Sequence, residues 1–131
     1  MLCWRIARKP YADLSGAGGL KSSGRWHRAG RPVIYAATSI ALASLEYAVH
    51  TAERPTDSVL LTIELPNDSL VKIEEILGGP LPGNWPFVES QTQHLGVSWL
   101  DSGASIALEV PSLVIPRERN AILNPQGFQV R

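Results

Sequence analysis

Residues 24–50 read GRWHRAGRPVIYAATSIALASLEYAVH, and this stretch decides how the fold is interpreted. A short apolar run at residues 33–37 has the length and composition typical of a buried strand. Thr38 or Ser39 can then cap the first turn of a helix that continues to about His50. The sequence therefore predicts a strand followed directly by a helix, with a glycine-rich loop in front of them.

One carboxylate lies at the edge of the apolar stripe of this helix. Leu42, Leu45 and Val49 fall on one side of the helix, and Glu46 comes four residues after Leu42 and three before Val49. A carboxylate in such a position is partly removed from water, which costs stability unless a partner compensates. We therefore expect Glu46 either to bind a structural partner such as an arginine or to face a working cleft.

The composition is that of an ordinary globular protein. The 131 residues are 44% hydrophobic and 18% charged, and we predict that they form one domain over residues 1–131. The formal net charge is zero, which removes the general electrostatic argument for binding nucleic acid or an anionic membrane. Only a local basic patch would favour nucleic-acid binding.

We expect neither an export signal nor a membrane span in this chain. Its start, MLCWRIARKP, places Arg5, Arg8 and Lys9 where a signal peptide needs apolar residues, and the longest apolar stretch, residues 33–49, is interrupted by polar side chains. Cys3 is the single cysteine and cannot form an internal disulfide, which fits a reducing compartment. We therefore expect a cytoplasmic protein without a membrane span.

Outside the opening stretch, the pattern is one of short strands. Strand-like segments occur at residues 4–6, 59–65, 106–110 and 121–123. The segment at residues 4–6 is expected to form an edge strand. Residues 70–76 fit a strand or a short helix, and residues 91–101 fit a strand or a helix end. Pro111 is interpreted as a bend within the sheet. Short strands around essentially one clear helix predict an α+β domain with short, largely antiparallel or mixed sheets.

Two familiar chemistries are poorly supported. A metal site needs clustered ligands, but His27, His50 and His94 are far apart, and the helical pair Glu46 and His50 lacks the second histidine of the two-histidine zinc motif. Cys3 has no associated histidine and asparagine signature, and none of the serines lies in a nucleophile elbow. We therefore expect no metal and no nucleophilic hydrolysis.

A basic cluster before the predicted strand admits two interpretations. Its members surround the aromatic Trp26: Lys21, Arg25, His27, Arg28 and Arg31. Such a cluster can neutralise and stack nucleic acid, which would make the protein a binding module without chemistry. It can also bind a small phosphorylated ligand, since the Arg25 guanidinium can make bidentate contacts with phosphate oxygens. We favour the small ligand and expect no direct nucleic-acid binding.

Arg25, Tyr35 and Glu46 together fit the cleavage of a ribosyl bond. Breaking such a bond builds positive charge on the sugar, which the Glu46 carboxylate can stabilise. The Tyr35 ring can stack on a planar leaving base and Arg25 can hold a pyrophosphate, and this combination describes a nicotinamide dinucleotide used as a substrate. Each residue taken singly is more often structural, as a core aromatic, a surface cation or half of a salt bridge.

Five segments carry a resemblance to a known family. They are ARKPYADLSGAGGL (residues 7–20), GRWHRAGRPVIYAA (24–37), ALASLE (41–46), LEVPS (108–112) and NAILNP (120–125). In these segments the chain resembles the RES-domain toxins of bacterial toxin–antitoxin pairs, which are named for an arginine, a glutamate and a serine. The segments extend over nearly the whole chain, and as a set they are specific.

The resemblance implies an ADP-ribosyltransferase-like fold and an enzyme that degrades NAD+ by breaking the nicotinamide–ribose bond. Water or inorganic phosphate would be the acceptor, although some relatives are thought to modify a protein instead. Catalysis is assigned to Arg25, Tyr35 and Glu46, and substrate binding to Arg25, Tyr35 and Ser112. The Ser112 hydroxyl would either bond a phosphate or ribose of the ligand or hold the backbone at a sheet bend.

The resemblance also implies partners. It predicts a cognate antitoxin with a DNA-binding domain of the Xre helix-turn-helix type, which would bring a toxin of zero net charge into a DNA-linked complex. A homodimer within a larger complex is a further expectation. No cofactor is implied, because NAD+ is the substrate and inorganic phosphate would be a co-substrate.

Overall fold

The framework of the protein is a six-stranded sheet, seen in a computed structural model that describes residues 1–51 and 55–127. The strands are β1 (Leu2–Arg8), β2 (Ile34–Ala37), β3 (Ser58–Glu64), β4 (Leu70–Lys72), β5 (Ala107–Pro111) and β6 (Arg119–Leu123). The helices are α1 (Gly18–Lys21), α2 (Ile40–His50), α3 (Ile73–Leu77) and α4 (Glu89–Ser102). Single 3-10 turns lie at Lys9–Tyr11, Trp85–Phe87 and Pro125–Gly127. This architecture confirms the predicted α+β class.

The sheet is mixed, as predicted, with the strand order β3-β1-β2-β6-β5-β4. Strands β4 and β5 pair in parallel, whereas the other neighbours pair antiparallel. Strand β6 lies between β2 and β5. It therefore joins the part of the sheet that is built from residues 2–64 to the part that is built from residues 70–111.

Strand β1 lies inside the sheet, so the prediction of an edge strand at residues 4–6 is wrong. It pairs with β3 along its whole length, from Leu2 opposite Glu64 to Arg8 opposite Ser58, and with β2 on its other side. Alternation of apolar and polar residues reports which face of a strand is buried. It does not report how many neighbouring strands there are.

The predicted strand and helix in residues 24–50 are both confirmed. Strand β2 is buried between β1 and β6, and Tyr35 on it lies opposite Ile122. Ser39 is the residue that caps α2, because its hydroxyl accepts the Leu42 N–H at 3.1 Å. Thr38 instead donates its hydroxyl to the Arg119 carbonyl at 2.9 Å, which ties the start of α2 to β6.

Helix α2 packs a different face from the one predicted. Leu42 and Ala43 are buried, but Leu45 and Val49 are 39% and 58% exposed, so the predicted stripe is wrong beyond Leu42. The helix is apolar on several sides, and the sequence pattern therefore does not single out its inner face. The next inward position, one turn after Leu42, is Glu46 itself, which is half-buried.

The segments that the sequence left open resolve as follows. Residues 70–76 contain both alternatives, with β4 leading straight into α3. Residues 91–101 belong to the 14-residue helix α4, so the picture of essentially one clear helix is wrong. Gly96 explains the ambiguity, because it weakens the helical signal and yet is required where α4 lies against another segment of backbone.

Pro111 ends β5 and does not mark a bend within the sheet. It pairs with Arg119, and the chain returns through a turn that the Ser112 N–H closes by donating to the Glu118 carbonyl at 2.9 Å. The turn brings Asn120 back beside β2, where it lies opposite Ala37.

Helices α2 and α4 both pack on the face of the sheet that carries Tyr35, Ala37 and Ile122. The opposite face buries a cluster of smaller side chains that includes Cys3 and Ala36. No helix in the described ranges is long and apolar enough to cross a membrane. The sequence also predicts a proline-containing connection at residues 53–57 and a last apolar contact from Phe128. Residues 53 and 54 and Phe128 lie outside the described ranges.

Candidate active site

A cleft of about 430 Å³ opens between α2 and α4, above β2. Arg25, Tyr35 and Glu46 all line it, so the structure brings together three of the four site residues that the sequence predicted. Its other lining includes three polar residues from different elements: His50, Glu89 and Asn120. The volume and the convergence of polar groups are those of a small-molecule site.

The Glu46 carboxylate is held by two donors on one of its oxygens. Oε1 accepts the Ser112 hydroxyl at 2.7 Å and the Asn120 side-chain amide at 2.8 Å. Oε2 has no hydrogen-bond partner among residues 1–51 and 55–127. The carboxylate is therefore fixed in orientation by neutral donors, instead of the arginine considered from sequence, and one oxygen remains for a ligand.

Ser112 lies behind Glu46 and does not line the cleft. Its side chain is fully buried, and its oxygen also accepts the N–H groups of Val114 and Ile115, each at 3.1 Å. One hydroxyl thus connects the β5–β6 turn to Glu46. Of the two roles considered for Ser112, the geometry matches the one that holds the backbone, and the predicted contact with the ligand is not what the structure provides.

Asn120 is the site residue that sequence reasoning missed. It lies on β6, and its side-chain oxygen Oδ1 is buried without a hydrogen-bond partner among the described residues, next to the amide that holds Glu46. Buried polar atoms are normally paired, so an open acceptor here suits a hydroxyl donor from a ligand. The sequence signal that could have identified Asn120 is its position as the first, polar residue of the segment NAILNP. That segment was considered only as part of the family resemblance.

Helix α4 holds the backbone of the segment that carries Arg25. The Arg25 carbonyl accepts the Thr92 hydroxyl at 2.6 Å, and the Gly24 carbonyl accepts the Gln93 side-chain amide at 3.0 Å. One turn later, a Cβ atom on Gly96 would overlap the Trp26 carbonyl oxygen. The approach of helix and segment is therefore close enough to require glycine at position 96.

The guanidinium of Arg25 is half-buried and incompletely paired. Its Nη1 is buried and has no acceptor among the described residues. A buried cationic donor without a partner is costly, and an anionic group such as a phosphate would satisfy it with a strong, charge-assisted hydrogen bond. The unpaired Nη1 is thus compatible with the predicted contact between Arg25, which lines the cleft, and an anion.

Tyr35 uses its hydroxyl within the protein. The oxygen lies 2.7 Å from His27 Nδ1 and accepts the Trp26 N–H at 3.1 Å. Burial raises the pKa of the Tyr35 phenol above its ordinary range, so the group stays neutral at physiological pH. The ring is consequently the part of Tyr35 that is available to a ligand.

The basic patch proposed from sequence does not exist as one surface. Trp26 and His27 are each 2% exposed, and Arg31 pairs with Asp101 on α4. Arg25 lines the cleft, so Lys21 and Arg28 are the exposed cations that remain in the predicted basic cluster. A surface that stacks nucleic acid needs accessible aromatic rings, and the buried Trp26 does not provide one.

Two recesses continue the cleft on the other side of Tyr35. Their volumes are about 230 and 330 Å³, and Tyr35 borders both of them as well as the cleft. Arg5 of β1 lines both recesses and donates to the carbonyls of Tyr11 and Asp13 at 3.0 and 3.2 Å. No role for Arg5 follows from the sequence, because nothing local distinguishes an arginine beside a groove from one in solvent.

The Cys3 thiol and the histidine and carboxylate side chains are the remaining candidates for nucleophilic or metal-dependent chemistry. Burial raises the pKa of the Cys3 thiol to about 11, so the thiol is protonated and inert. Glu46 and His50 both line the cleft, but within residues 1–51 and 55–127 no three histidine, cysteine, aspartate or glutamate side chains form a metal-binding group.

Comparison with known proteins gives matches over almost the whole chain. Residues 2–131 match the RES domain family. A protein named Toxin Res from Pseudomonas putida is 45% identical over 135 aligned residues, which cover 100% of this chain and 89% of that toxin. A Prs ADP-ribosylating toxin from Sphingobium sp. is 38% identical over 130 residues, covering 93% of this chain and 81% of that toxin.

Among solved structures, a chain of the M. tuberculosis MbcT–MbcA toxin–antitoxin complex superposes with a TM-score of 0.75. The match covers 99% of this chain and 76% of that chain. At 21% identity this likeness concerns the fold alone, which the two chains share over nearly the whole length of this one.

Proposed function

Since the chain belongs to the RES domain family, we propose that it is the toxin of a bacterial toxin–antitoxin pair and degrades NAD+. The bond that breaks joins nicotinamide to ribose. One observation carries the proposal: Glu46 is held by Ser112 and Asn120 on one carboxylate oxygen, keeps the other without a partner in the described residues, and shares its cleft with the open Arg25 donor.

Glu46 stabilises the charge that develops on the ribose. When the glycosidic bond breaks, its electron pair leaves with nicotinamide, whose ring nitrogen loses its positive charge, and the ribosyl carbon becomes cationic. The free Oε2 of Glu46 is the group that faces this carbon. Asn120 Oδ1 accepts a ribose hydroxyl and so keeps the sugar beside the carboxylate.

Arg25 and Tyr35 hold the two sides of the bond. The buried Nη1 of Arg25 donates to the pyrophosphate, and the Tyr35 ring stacks on the nicotinamide. The groove continues past Tyr35 towards Arg5, which supplies a second cation for the remainder of the dinucleotide. Binding energy from these remote contacts can then be used to orient the ribose.

Three acceptors complete the reaction in different ways. Water gives ADP-ribose and a proton, whereas inorganic phosphate gives a phosphorylated ADP-ribose. Transfer to a protein side chain is the second candidate function, and the similarity to the Prs ADP-ribosylating toxin favours it. NAD+ is a substrate in all three cases, and no cofactor is proposed.

The test is to incubate the purified protein with NAD+ and to measure free nicotinamide with and without inorganic phosphate. Chromatography of the second product separates ADP-ribose from its phosphorylated form. Labelled NAD+ in a bacterial lysate adds the third arm, because labelled protein bands require transfer to protein. Absence of nicotinamide release by the wild-type protein in every arm would reject the proposed function.

An antitoxin completes the proposal. The structural relative was crystallised as a toxin–antitoxin complex, and we propose that this chain likewise binds a cognate antitoxin, with an Xre-type helix-turn-helix domain, in the cytoplasm. A homodimer of the toxin within that complex is part of the same proposal. Co-expression with the product of the adjacent gene, followed by light scattering of the purified complex, measures both the partner and the stoichiometry.

A further inference from the structure

His27 is a buried polar residue that the proposed reaction does not use. It is 2% exposed and lies between the glycine-rich segment and β2. Its Nδ1 lies 2.7 Å from the Tyr35 hydroxyl and 3.2 Å from the Gly24 amide nitrogen, and its Nε2 lies 3.3 Å from the Gly19 carbonyl oxygen. The centroids of the His27 and Tyr35 rings are 5.5 Å apart, and the two ring planes are tilted by 50° to each other. Every polar atom of the imidazole thus has a neighbour.

These neighbours determine the position of the imidazole proton. The Gly24 N–H lies 3.2 Å from both the His27 carbonyl oxygen and Nδ1, and because it can only donate, it favours a lone pair on Nδ1. A backbone carbonyl only accepts, so the Gly19 oxygen requires a proton on Nε2. Burial lowers the pKa of His27 and so favours the neutral imidazole, whose one proton then lies on Nε2, and the Tyr35 hydroxyl donates to Nδ1.

The direction of this bond fixes the Tyr35 hydroxyl at both ends. The hydroxyl donates to His27 and accepts from the Trp26 N–H, so it cannot rotate without breaking a bond in a buried place. The space around it is also closed, because a Cβ atom on Gly24 would lie 2.5 Å from the hydroxyl oxygen. The Tyr35 ring, which borders the cleft and both recesses, is consequently held in one orientation by the contacts of its hydroxyl.

We propose that His27 is a positioning residue that holds the Tyr35 ring against the nicotinamide of the substrate. The inference rests on the proposed function, since stacking on nicotinamide is the role given there to Tyr35. The same imidazole ties Gly19 and Gly24 of the glycine-rich segment to the aromatic ring. It therefore aligns one wall of the neighbouring recess with the cleft.

A matched pair of substitutions separates positioning from general stability. The carbonyl oxygen of His27→Asn falls near the place of Nδ1 and can still accept from Tyr35, but it gives up the bond to Gly19. The longer amide of His27→Gln reaches the place of Nε2 and keeps the bond to Gly19, but it leaves the Tyr35 hydroxyl without its acceptor. Each variant thus retains one of the two hydrogen bonds, either the one to Tyr35 or the one to Gly19.

Steady-state nicotinamide release then measures the effect. We expect His27→Gln to lower kcat/KM about tenfold, as for the loss of one oriented hydrogen bond, and His27→Asn to stay within about threefold of the wild type. Tyr35→Phe should lower kcat/KM to the same extent as His27→Gln, and the double variant should be no worse than either single variant. Equal losses in Asn and Gln, or additive losses with Tyr35→Phe, would overturn the proposal.

A second measurement does not depend on NAD+ cleavage. NMR of the imidazole nitrogens in isotope-labelled wild-type protein should report the Nε2-protonated form of His27, and Tyr35→Phe should shift its Nδ1 signal. A proton on Nδ1, or an Nδ1 signal unaffected by Tyr35→Phe, contradicts the inference even if the protein cleaves NAD+. Because wild type and Tyr35→Phe suffice for this experiment, it decides the matter even where a His27 variant fails to fold.

Discussion

Ser112 and Glu46 are 66 residues apart in the sequence, yet the serine hydroxyl donates a 2.7 Å hydrogen bond to the glutamate carboxylate. The Asn120 amide donates to the same oxygen at 2.8 Å. Both donors come from the region of β5 and β6, whereas Glu46 lies on α2. The proposed catalytic carboxylate is thus set in place by tertiary structure.

Replacement of Glu46 by glutamine should abolish turnover and retain the fold. The amide keeps an oxygen that can accept from Ser112 and Asn120 but carries no negative charge for the ribosyl cation. We expect nicotinamide release to fall about 100-fold or more. Glu75→Gln is the control, since Glu75 is exposed and does not line the cleft. Equal activity of Glu46→Gln and wild type would remove the carboxylate from the mechanism.

Ser112→Ala should lower both stability and turnover. It removes the donor to Glu46 and the acceptor of the Val114 and Ile115 amides in a fully buried place. We expect unfolding in urea to show a loss of about 1–3 kcal/mol. In the same variant kcat should fall about tenfold while KM changes little, because Ser112 acts through Glu46 and does not touch the substrate. A raised KM with unchanged kcat would instead indicate a direct ligand contact.

Gly96→Ala should be among the most disruptive single substitutions. Its methyl group would overlap the Trp26 carbonyl oxygen, so α4 or the segment that carries Arg25 must shift. We expect a loss of about 3 kcal/mol or more in the free energy of unfolding. Gly83→Ala is the control, because a methyl group there meets nothing within 4 Å. Similar stabilities of the two variants would contradict the close packing of α4.

Arg25→Lys should weaken substrate binding although the charge is kept. An ammonium group cannot reproduce the bidentate geometry of a guanidinium on a pyrophosphate, so KM for NAD+ should rise about tenfold. Arg28→Lys is the matched control, since Arg28 is exposed and lies outside the cleft. If both variants have wild-type KM, the buried Nη1 of Arg25 does not bind the ligand.

Stability should fall on mild acidification because of His27. Burial lowers the pKa of this imidazole below its ordinary value of 6.5, so the folded protein binds fewer protons than the unfolded chain. The stabilising contribution is therefore present above pH 6.5 and is lost as the pH falls towards the lower pKa of the folded state. Its titratable neighbour Tyr35 stays neutral over this range, because burial raises the pKa of the phenol.

Urea unfolding between about pH 7 and pH 5 tests this expectation. The wild-type free energy of unfolding should decrease more steeply than that of His27→Asn, whose amide does not titrate. Parallel curves for the two proteins would show that His27 is not the group responsible.

The parts of the fold that could be predicted are those with local causes. The β2–α2 unit follows from an apolar run and the Ser39 cap, and both act within a few residues. Helix α4 was ambiguous because Gly96 weakens its pattern, and the reason for that glycine is the Trp26 backbone, 70 positions earlier. The prediction of the buried face of α2 was wrong for the same reason. Packing against the sheet, which lies far away in the sequence, turns Glu46 inward and leaves Leu45 and Val49 exposed.

The candidate site divides in the same way. Arg25, Tyr35 and Glu46 could be named because they lie in one segment with recognisable neighbours. Asn120 could not, since an asparagine on a short strand has no local mark of function until β6 is placed beside β2. The roles of all these residues in catalysis remain predictions, for which the substitutions above are the measurements.

The position of β6 has a consequence for the newly made protein. This strand is the last one in the described chain, and it fills the gap between β2 and β5 while bringing Asn120 to Glu46. A nascent chain that has emerged from the ribosome only as far as β5 cannot align the carboxylate. On the proposed mechanism, the chain should therefore gain NAD+-cleaving activity only after β6 has left the ribosome and paired with β2 and β5.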